Sequence, residues 1–327
     1  MRSIILGAGA IGGVVGGYLA RAGRDVVLLA RGAHLEAIRA HGLRVESPDE
    51  AFVVRPPVAD PREPFAWRAG DIVLLAVKTQ DAAGALRELA PPAHVPIACL
   101  TNGVEAERIA LRHVDHVYGV CVRMPGTHLT PGLVQAWAAP VPGLLDLGRY
   151  PDGTGAHADE LAGELVVAGF ASEVRANIMK WKRGKLLSNL ANGAEAMCGQ
   201  AARTSELAEA ARAEGRACFA AAGLSCTTDD EDTARRGDFR SRPIAGVARA
   251  GGSTWQSLVR GHATLETDYL NGEIAFLGRL HGVPTPINRA LQRVAADAAR
   301  AGLAPASLSL AELAARVAAV TSADATA

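Results

Sequence analysis

The most constraining feature of this chain stands at its beginning. Ser3-Ile-Ile-Leu6 runs directly into Gly7-Ala-Gly9-Ala-Ile-Gly12 and then into a helical pattern ending near Ala22. An apolar strand, a glycine turn and a helix in that order form the first part of a βαβ unit. Gly7 permits the tight turn, Gly9 lets the backbone approach a pyrophosphate, and Gly12 lets the helix pack closely on its strand. The helix opening at Ala10 and Ile11 turns its N-terminus toward the negative charge. The arrangement predicts a dinucleotide-binding turn.

Asp25 to Ala30, Ile72 to Val77 and Pro96 to Leu100 are further short apolar runs, with amphipathic segments between several of them. This alternation predicts an α/β fold with a doubly wound parallel sheet. Leu43 to Glu46 and Ala51 to Arg55, separated by Ser47-Pro48-Asp49, read as an inserted hairpin. Strands between His116 and Leu147 extend the same sheet. From Ala156 onward helical periodicity dominates, and Asp229 to Asp232 reads as a solvated loop and helix start. At ~100 to 200 residues per domain, the 327 residues divide into a Rossmann-type domain over 1–171 and an all-helical domain over 172–327.

An NAD site would place an acid at the end of the second strand to hold the ribose hydroxyls. Here that place reads Leu29-Ala30-Arg31-Gly32. A guanidinium suits a 2′-phosphate, so the expected cofactor is NADPH. Two more strand ends, at Lys78-Thr79 and Thr101-Asn102-Gly103, open into the same crevice. Lys78 and Asn102 are therefore expected to line the cofactor or its junction with substrate.

Of 34 basic residues only Lys78, Lys180, Lys182 and Lys185 are lysines. A lysine can be tuned to release a proton near neutral pH and an arginine cannot, so these positions are candidates for chemistry. Three of them fall in one helical segment, Asn177 to Gly193. At about 100° per residue, Asn189 stands about 40° and Asn192 about −20° from Lys185, with Trp181 about −40° away. Lys180 points away, while Lys182 remains a rival to Lys185. An ammonium flanked by amides suits a carbonyl reduced by hydride, because the developing alkoxide must be stabilised and protonated. Further on, Glu266 shares a helical stripe with Leu270, Ile274 and Leu277, which carries its carboxylate to the buried side, where Lys185 is the candidate cation.

Taken together, these motifs resemble the ketopantoate reductase family, which reduces 2-dehydropantoate with NADPH in pantothenate synthesis. The resemblance rests on Gly7-x-Gly9-x-x-Gly12, Arg31-Gly32, Val77-Lys78-Thr79, Thr101-Asn102-Gly103, Lys185-Leu-x-x-Asn189, Ser253-Thr254 and Glu266-x-Asp268-x-Leu-Asn271-Gly272. It implies a site in the cleft between the two domains, with Lys185 as proton donor. It further implies that Asn102 meets nicotinamide and substrate, that Asn189 and Thr254 hold substrate, and that Glu266 sits by cofactor and substrate hydroxyls. The chain departs from the family pattern in three places, one of them a further asparagine after the lysine helix that has no match here. Gly193 stands where a second substrate asparagine is expected, with Asn192 one place earlier as its candidate replacement, and Gly251 stands where another asparagine is expected. Losing such donors weakens recognition of a hydroxylated acid, so a different 2-oxo acid or ketone is also expected as a substrate class.

The composition narrows the alternatives. Basic and acidic side chains balance at 34 each, with no excess charge to hold nucleic acid or an anionic membrane. Cys99, Cys121, Cys198, Cys218 and Cys226 form no C-x-x-C pair and read as small core residues rather than a disulfide or metal framework. No apolar run reaches the ~20 residues of a membrane span, and a cytoplasmic location is expected. The long helical half is a candidate homodimer surface. Two other readings are a 3-hydroxy acid dehydrogenase-like enzyme and a non-catalytic NADPH-binding regulator that needs no lysine at its site.

Overall fold

The computed structural model describes residues 1–248 and 251–325. They divide into two compact units, one of residues 1–182 and 228–249, the other of 183–227 and 250–327. In the first, strands alternate with helices: β1 (Arg2–Leu6), α1 (Ala10–Arg21), β2 (Asp25–Leu29), α2 (Gly32–His41), the hairpin β3 (Leu43–Glu46) and β4 (Ala51–Val54), and β5 (Val58–Ala59). There follow β6 (Asp71–Leu75), α3 (Thr79–Leu89), β7 (Ile97–Cys99), α4 (Ala106–Ala110) and β8 (Val117–Arg123). The strand-rich stretch continues through β9 (Gly126–Thr127), β10 (Leu133–Ala136), β11 (Ala138–Ala139) and β12 (Leu144–Arg149) to α5 (Ala156–Val167).

The main sheet has the order β12-β8-β7-β6-β1-β2-β5, parallel except where β12 runs antiparallel to β8. The chain winds outward from β1 to β2 and β5, then returns to β6 on the other side of β1. That reversal puts the switch point at the carboxyl ends of β1 and β6, where an open α/β sheet leaves a crevice. Strands β1 and β6 are buried on both faces. Ile5, Leu28, Ile72 and Leu74 join the core on one face of the sheet, and Ile4, Leu6, Val27, Val73 and Leu75 join the core on the other. At the opposite strand ends, Arg2 grips Asp71 through two bonds of 2.7 Å, pinning β1 to β6.

The predicted hairpin forms as β3 and β4. Of the strands expected after His116, β8 and β12 do extend the main sheet, whereas β9 and β10 join the hairpin in a second sheet of order β4-β3-β10-β9.

The helices continue with α6 (Ile178–Asn189), α7 (Asn192–Cys198), α8 (Glu206–Ala221), α9 (Asp229–Arg236), α10 (Ser253–Val259), α11 (Asn271–His281), α12 (Pro286–Arg300) and α13 (Leu310–Ala325). The division between units falls within α6, later than the expected 171/172, and residues 228–249 return to the first unit. Charge pairing accounts for the return: Arg235 clasps Asp146 at 2.7 and 2.6 Å, Arg123 pairs with Asp232, and Lys180 pairs with Glu231. A short strand β13 (Arg240–Ser241) also pairs with β11, so the segment is not purely helical. The acidic run opens α9 with a complete capping box between Thr228 and Glu231.

In the second unit Leu186, Leu190, Phe219, Ile274 and Leu291 are buried, together with a polar knot. Asn271 Nδ2 donates to Leu190 O at 3.0 Å and to Asn288 Oδ1 at 2.9 Å, and Asn288 Nδ2 donates to Glu214 Oε2 at 2.8 Å. All five cysteines are free thiols. Among the described residues no helix is long and apolar enough to cross a membrane, and no cluster of His, Cys, Asp and Glu could hold a metal.

Candidate active site

The glycine turn has the geometry its spacing predicts. Gly7 has φ +100, and a Cβ there would stand 2.7 Å from Val77 Cγ1. A Cβ on Gly12 would come within 2.2 Å of Gly7 O and 2.8 Å of Ile5 Cγ2, so α1 touches its strand through bare backbone. At Gly9 the nearest atom to such a Cβ is His128 Cδ2 at 4.0 Å, which leaves this stretch of backbone open for a pyrophosphate. A dinucleotide therefore fits the cradle. Gly12→Ala is expected to push α1 off β1 and lower stability by ~1 to 3 kcal/mol, together with cofactor affinity; thermal unfolding and a cofactor titration check this.

The turn lines a crevice of about 590 Å³ with Leu29, Ala30 and Arg31 at the end of β2, Val77 after β6, and one side of α3. Two histidines that the sequence reading did not single out brace it. Gly132 N donates to His34 Nδ1 at 2.9 Å, so the ring proton lies on Nε2, which donates to Ala8 O at 2.7 Å. Burial pushes the His34 imidazolium below the usual histidine range. His128 lies beside it, the two rings tilted 48° with centroids 4.1 Å apart. An isolated histidine on a helix carries no local signal for such a role.

Arg31 stands at the N-terminal edge of α2 and its Nη2 donates to Glu88 of α3. Lys78 is the residue before α3. Thr79 Oγ1 donates to Asn102 O at 3.2 Å, tying the first residue of α3 to the loop after β7. Gln80 also lines the crevice, and its Oε1 is buried with no hydrogen-bond partner among the described residues.

Burial distinguishes the two rival lysines of α6. Lys182 is 3% exposed, its Nζ lies 2.6 Å from Glu107 Oε1, and it donates to Thr101 O at 3.0 Å and Val120 O at 3.3 Å. Glu107 is fully buried. Lys182 is thus a core ion pair holding the backbone next to Asn102. Glu107 escaped the sequence reading because an acid in Ala106–Ala110 looks like an ordinary solvated helix residue. Lys185 lies on α6 in a half-buried position, with buried Asn189 one turn later. Trp181 turns instead to the guanidinium of Arg175, 4.5 Å from its ring centroid.

Two expectations of helical register need correction. The segment from Asn177 to Gly193 is not one helix: α6 ends at Asn189, and α7 restarts at Asn192. The carbonyl of Leu190, which a continuous helix would use internally, is taken by Asn271. Asn192 therefore opens α7 rather than continuing α6, and its Oδ1 accepts from Arg203 Nη1 at 3.0 Å. Glu266 is buried as expected, but on a 3-10 turn over Glu266–Tyr269 that breaks at Leu270 before α11 begins.

Ser253 Oγ donates to Glu266 Oε2 at 3.2 Å, which joins the start of α10 to that turn. Beside it, Thr254 is 3% exposed, and its Oγ1 has no hydrogen-bond partner among the described residues, a state that costs free energy unless a ligand satisfies it. One absent asparagine has a local explanation: a Cβ on Gly251 would meet Trp255 Cγ at 2.4 Å. At Gly193 the nearest atom to such a Cβ is Thr267 Cγ2 at 3.4 Å, an ordinary contact, and the structure gives no steric reason for the glycine.

Comparison with known proteins shows the family. Residues 3–151 match the family model described as ketopantoate reductase PanE/ApbA, and residues 177–299 match the model of its C-terminal part. The chain belongs to the ketopantoate reductase PanE/ApbA family. This is a family of oxidoreductases acting on CH–OH groups. A 2-dehydropantoate 2-reductase of Mesorhizobium japonicum is 32% identical over 314 residues, 88% of this chain and 94% of that protein. One of Pyrococcus horikoshii is 31% identical over 194 residues, 58% of this chain and 62% of that protein. Among solved structures, a PanE/ApbA family ketopantoate reductase from Ralstonia eutropha JMP134 has 29% identity and a TM-score of 0.77, covering 92% of this chain and 99% of that one.

Proposed function

We propose that this family member reduces a 2-oxo acid to a 2-hydroxy acid with NADPH, acting on 2-dehydropantoate or a close relative of it. The observation that carries the cofactor reading is a glycine cradle with an arginine, and no acid, at the end of β2. The relatives named 2-dehydropantoate 2-reductase support the substrate class. When bound, the nicotinamide supplies a hydride to C2 of the substrate. Gly7, Gly9 and Gly12, with the backbone at Ala10 and Ile11, hold the pyrophosphate, and Arg31 holds the 2′-phosphate. Lys78 and Asn102 border the nicotinamide side. Lys185 Nζ donates the proton to the carbonyl oxygen that becomes the new hydroxyl. Asn189 and the otherwise unsatisfied Thr254 hydroxyl orient the acid, and Glu266 accepts from a substrate or ribose hydroxyl.

Because Gly251 and Gly193 remove two amides from the family pattern, the decisive assay follows NADPH consumption over a panel of 2-oxo acids that includes 2-dehydropantoate and acids without a hydroxyl. Turnover of at least one is expected. Tight NADPH binding with turnover of none would point instead to a cofactor-sensing regulator. In parallel, fluorescence titration is expected to show tighter binding of NADPH than NADH, and Arg31→Ala should weaken NADPH by ~10-fold, the worth of one charge-assisted contact at an accessible site.

A further inference from the structure

Arg31 is not alone at the end of β2. Its guanidinium is held by the carboxylate of Glu88, which reaches across from α3, and both residues line the crevice that contains the glycine turn. A second acid, Asp60, lies close enough to act on Arg31, but it is already committed to Arg62 by side-chain bonds of 2.9 and 2.7 Å and a backbone bond of 2.9 Å. Glu88 is therefore the acid whose charge is directed at the Arg31 guanidinium. We infer that Glu88 is a specificity-determining residue that restrains the preference for a 2′-phosphorylated dinucleotide by competing for Arg31.

The physical reason lies in what each ribose presents. A 2′-phosphate brings nearly two negative charges. It must either displace the Glu88 carboxylate from Arg31 or sit beside it, and both oppose binding. A ribose with a free 2′-hydroxyl brings a donor, which a carboxylate accepts, while Arg31 keeps its partner. Glu88 thus does in part from α3 what the acid at the end of β2 does in an NAD-binding sheet. Since the Arg31 and Glu88 side chains are 47% and 40% exposed, solvent screens the effect and keeps it moderate.

This inference rests on the reading that Arg31 meets the 2′-phosphate. Its test is direct titration of NADPH and NADH, by fluorescence at low and high salt, into the wild-type protein, Glu88→Gln, Arg31→Ala and the double variant. Glu88→Gln is expected to raise the ratio of NADH to NADPH dissociation constants about fivefold at low salt, with a smaller gain at high salt. Most of that gain should vanish when Arg31 is alanine. An unchanged ratio in Glu88→Gln, with wild-type NADPH preference intact, overturns the role of Glu88 alone. Tighter NADH binding by wild type overturns the NADPH assignment; a ratio that still rises in Glu88→Gln then upholds the competition.

Discussion

Lys185→Ala is expected to lower kcat for 2-oxo acid reduction by ~10²- to 10⁴-fold, the usual worth of a positioned proton donor, while NADPH binds as in wild type. The substitution puts the best helix former into α6 at a half-buried position, so the helix should persist. Lys185→Arg sharpens the test. A guanidinium keeps the charge but does not give up its proton near neutral pH, so it should restore substrate affinity more than turnover. Steady-state kinetics with separate kcat and KM, alongside a cofactor titration, checks both variants. Unimpaired turnover in Lys185→Ala would remove this residue from the proton transfer.

Lys182 should respond in the opposite sense. Lys182→Met leaves the Glu107 carboxylate in the core without its cation, and such an uncompensated charge costs ~3 to 5 kcal/mol of folding stability. Glu107→Gln leaves the ammonium unpaired and should be similarly harmful. The double variant Lys182→Met/Glu107→Gln is expected to be less damaged than the two losses added together, because each single change exposes the cost of the other group. Chemical denaturation of the three variants measures this coupling. A Lys182→Met protein that unfolds like wild type but turns over nothing would make Lys182 the proton donor instead.

The two lysines show where local reading succeeds and where it stops. Three residues apart on one helix, they stand only about 60° from each other in a wheel projection, so local sequence leaves Lys182 as a rival to Lys185. What separates them is Glu107, whose place in the core depends on α4 packing against the sheet. Similarly, Arg31 reads as a free cation because its neighbours in sequence are Ala30 and Gly32, and its actual partner is 57 residues away. Extending a helix through Leu190 puts Asn192 on the Lys185 face, but the carbonyl that would continue the helix is captured by a side chain 81 residues downstream. Glu266 is buried although it lies outside an α-helix, because Glu266 and Thr267 on the 3-10 turn and Leu265 and Leu270 at its two ends are all buried.

What the sequence determined by itself was whatever depends on neighbours within one strand or one turn of helix. That covers the parallel strands through their uninterrupted apolar runs, the glycine turn through its spacing, and the capping of α9 through Thr228 and Glu231. Tertiary structure alone decided which charges are paired, where α6 ends, and that residues 228–249 rejoin the first unit. The reason is range: backbone conformation answers to sterics and hydrogen bonds a few residues apart, whereas a buried ion pair is worth its desolvation only when distant segments have already excluded water around it.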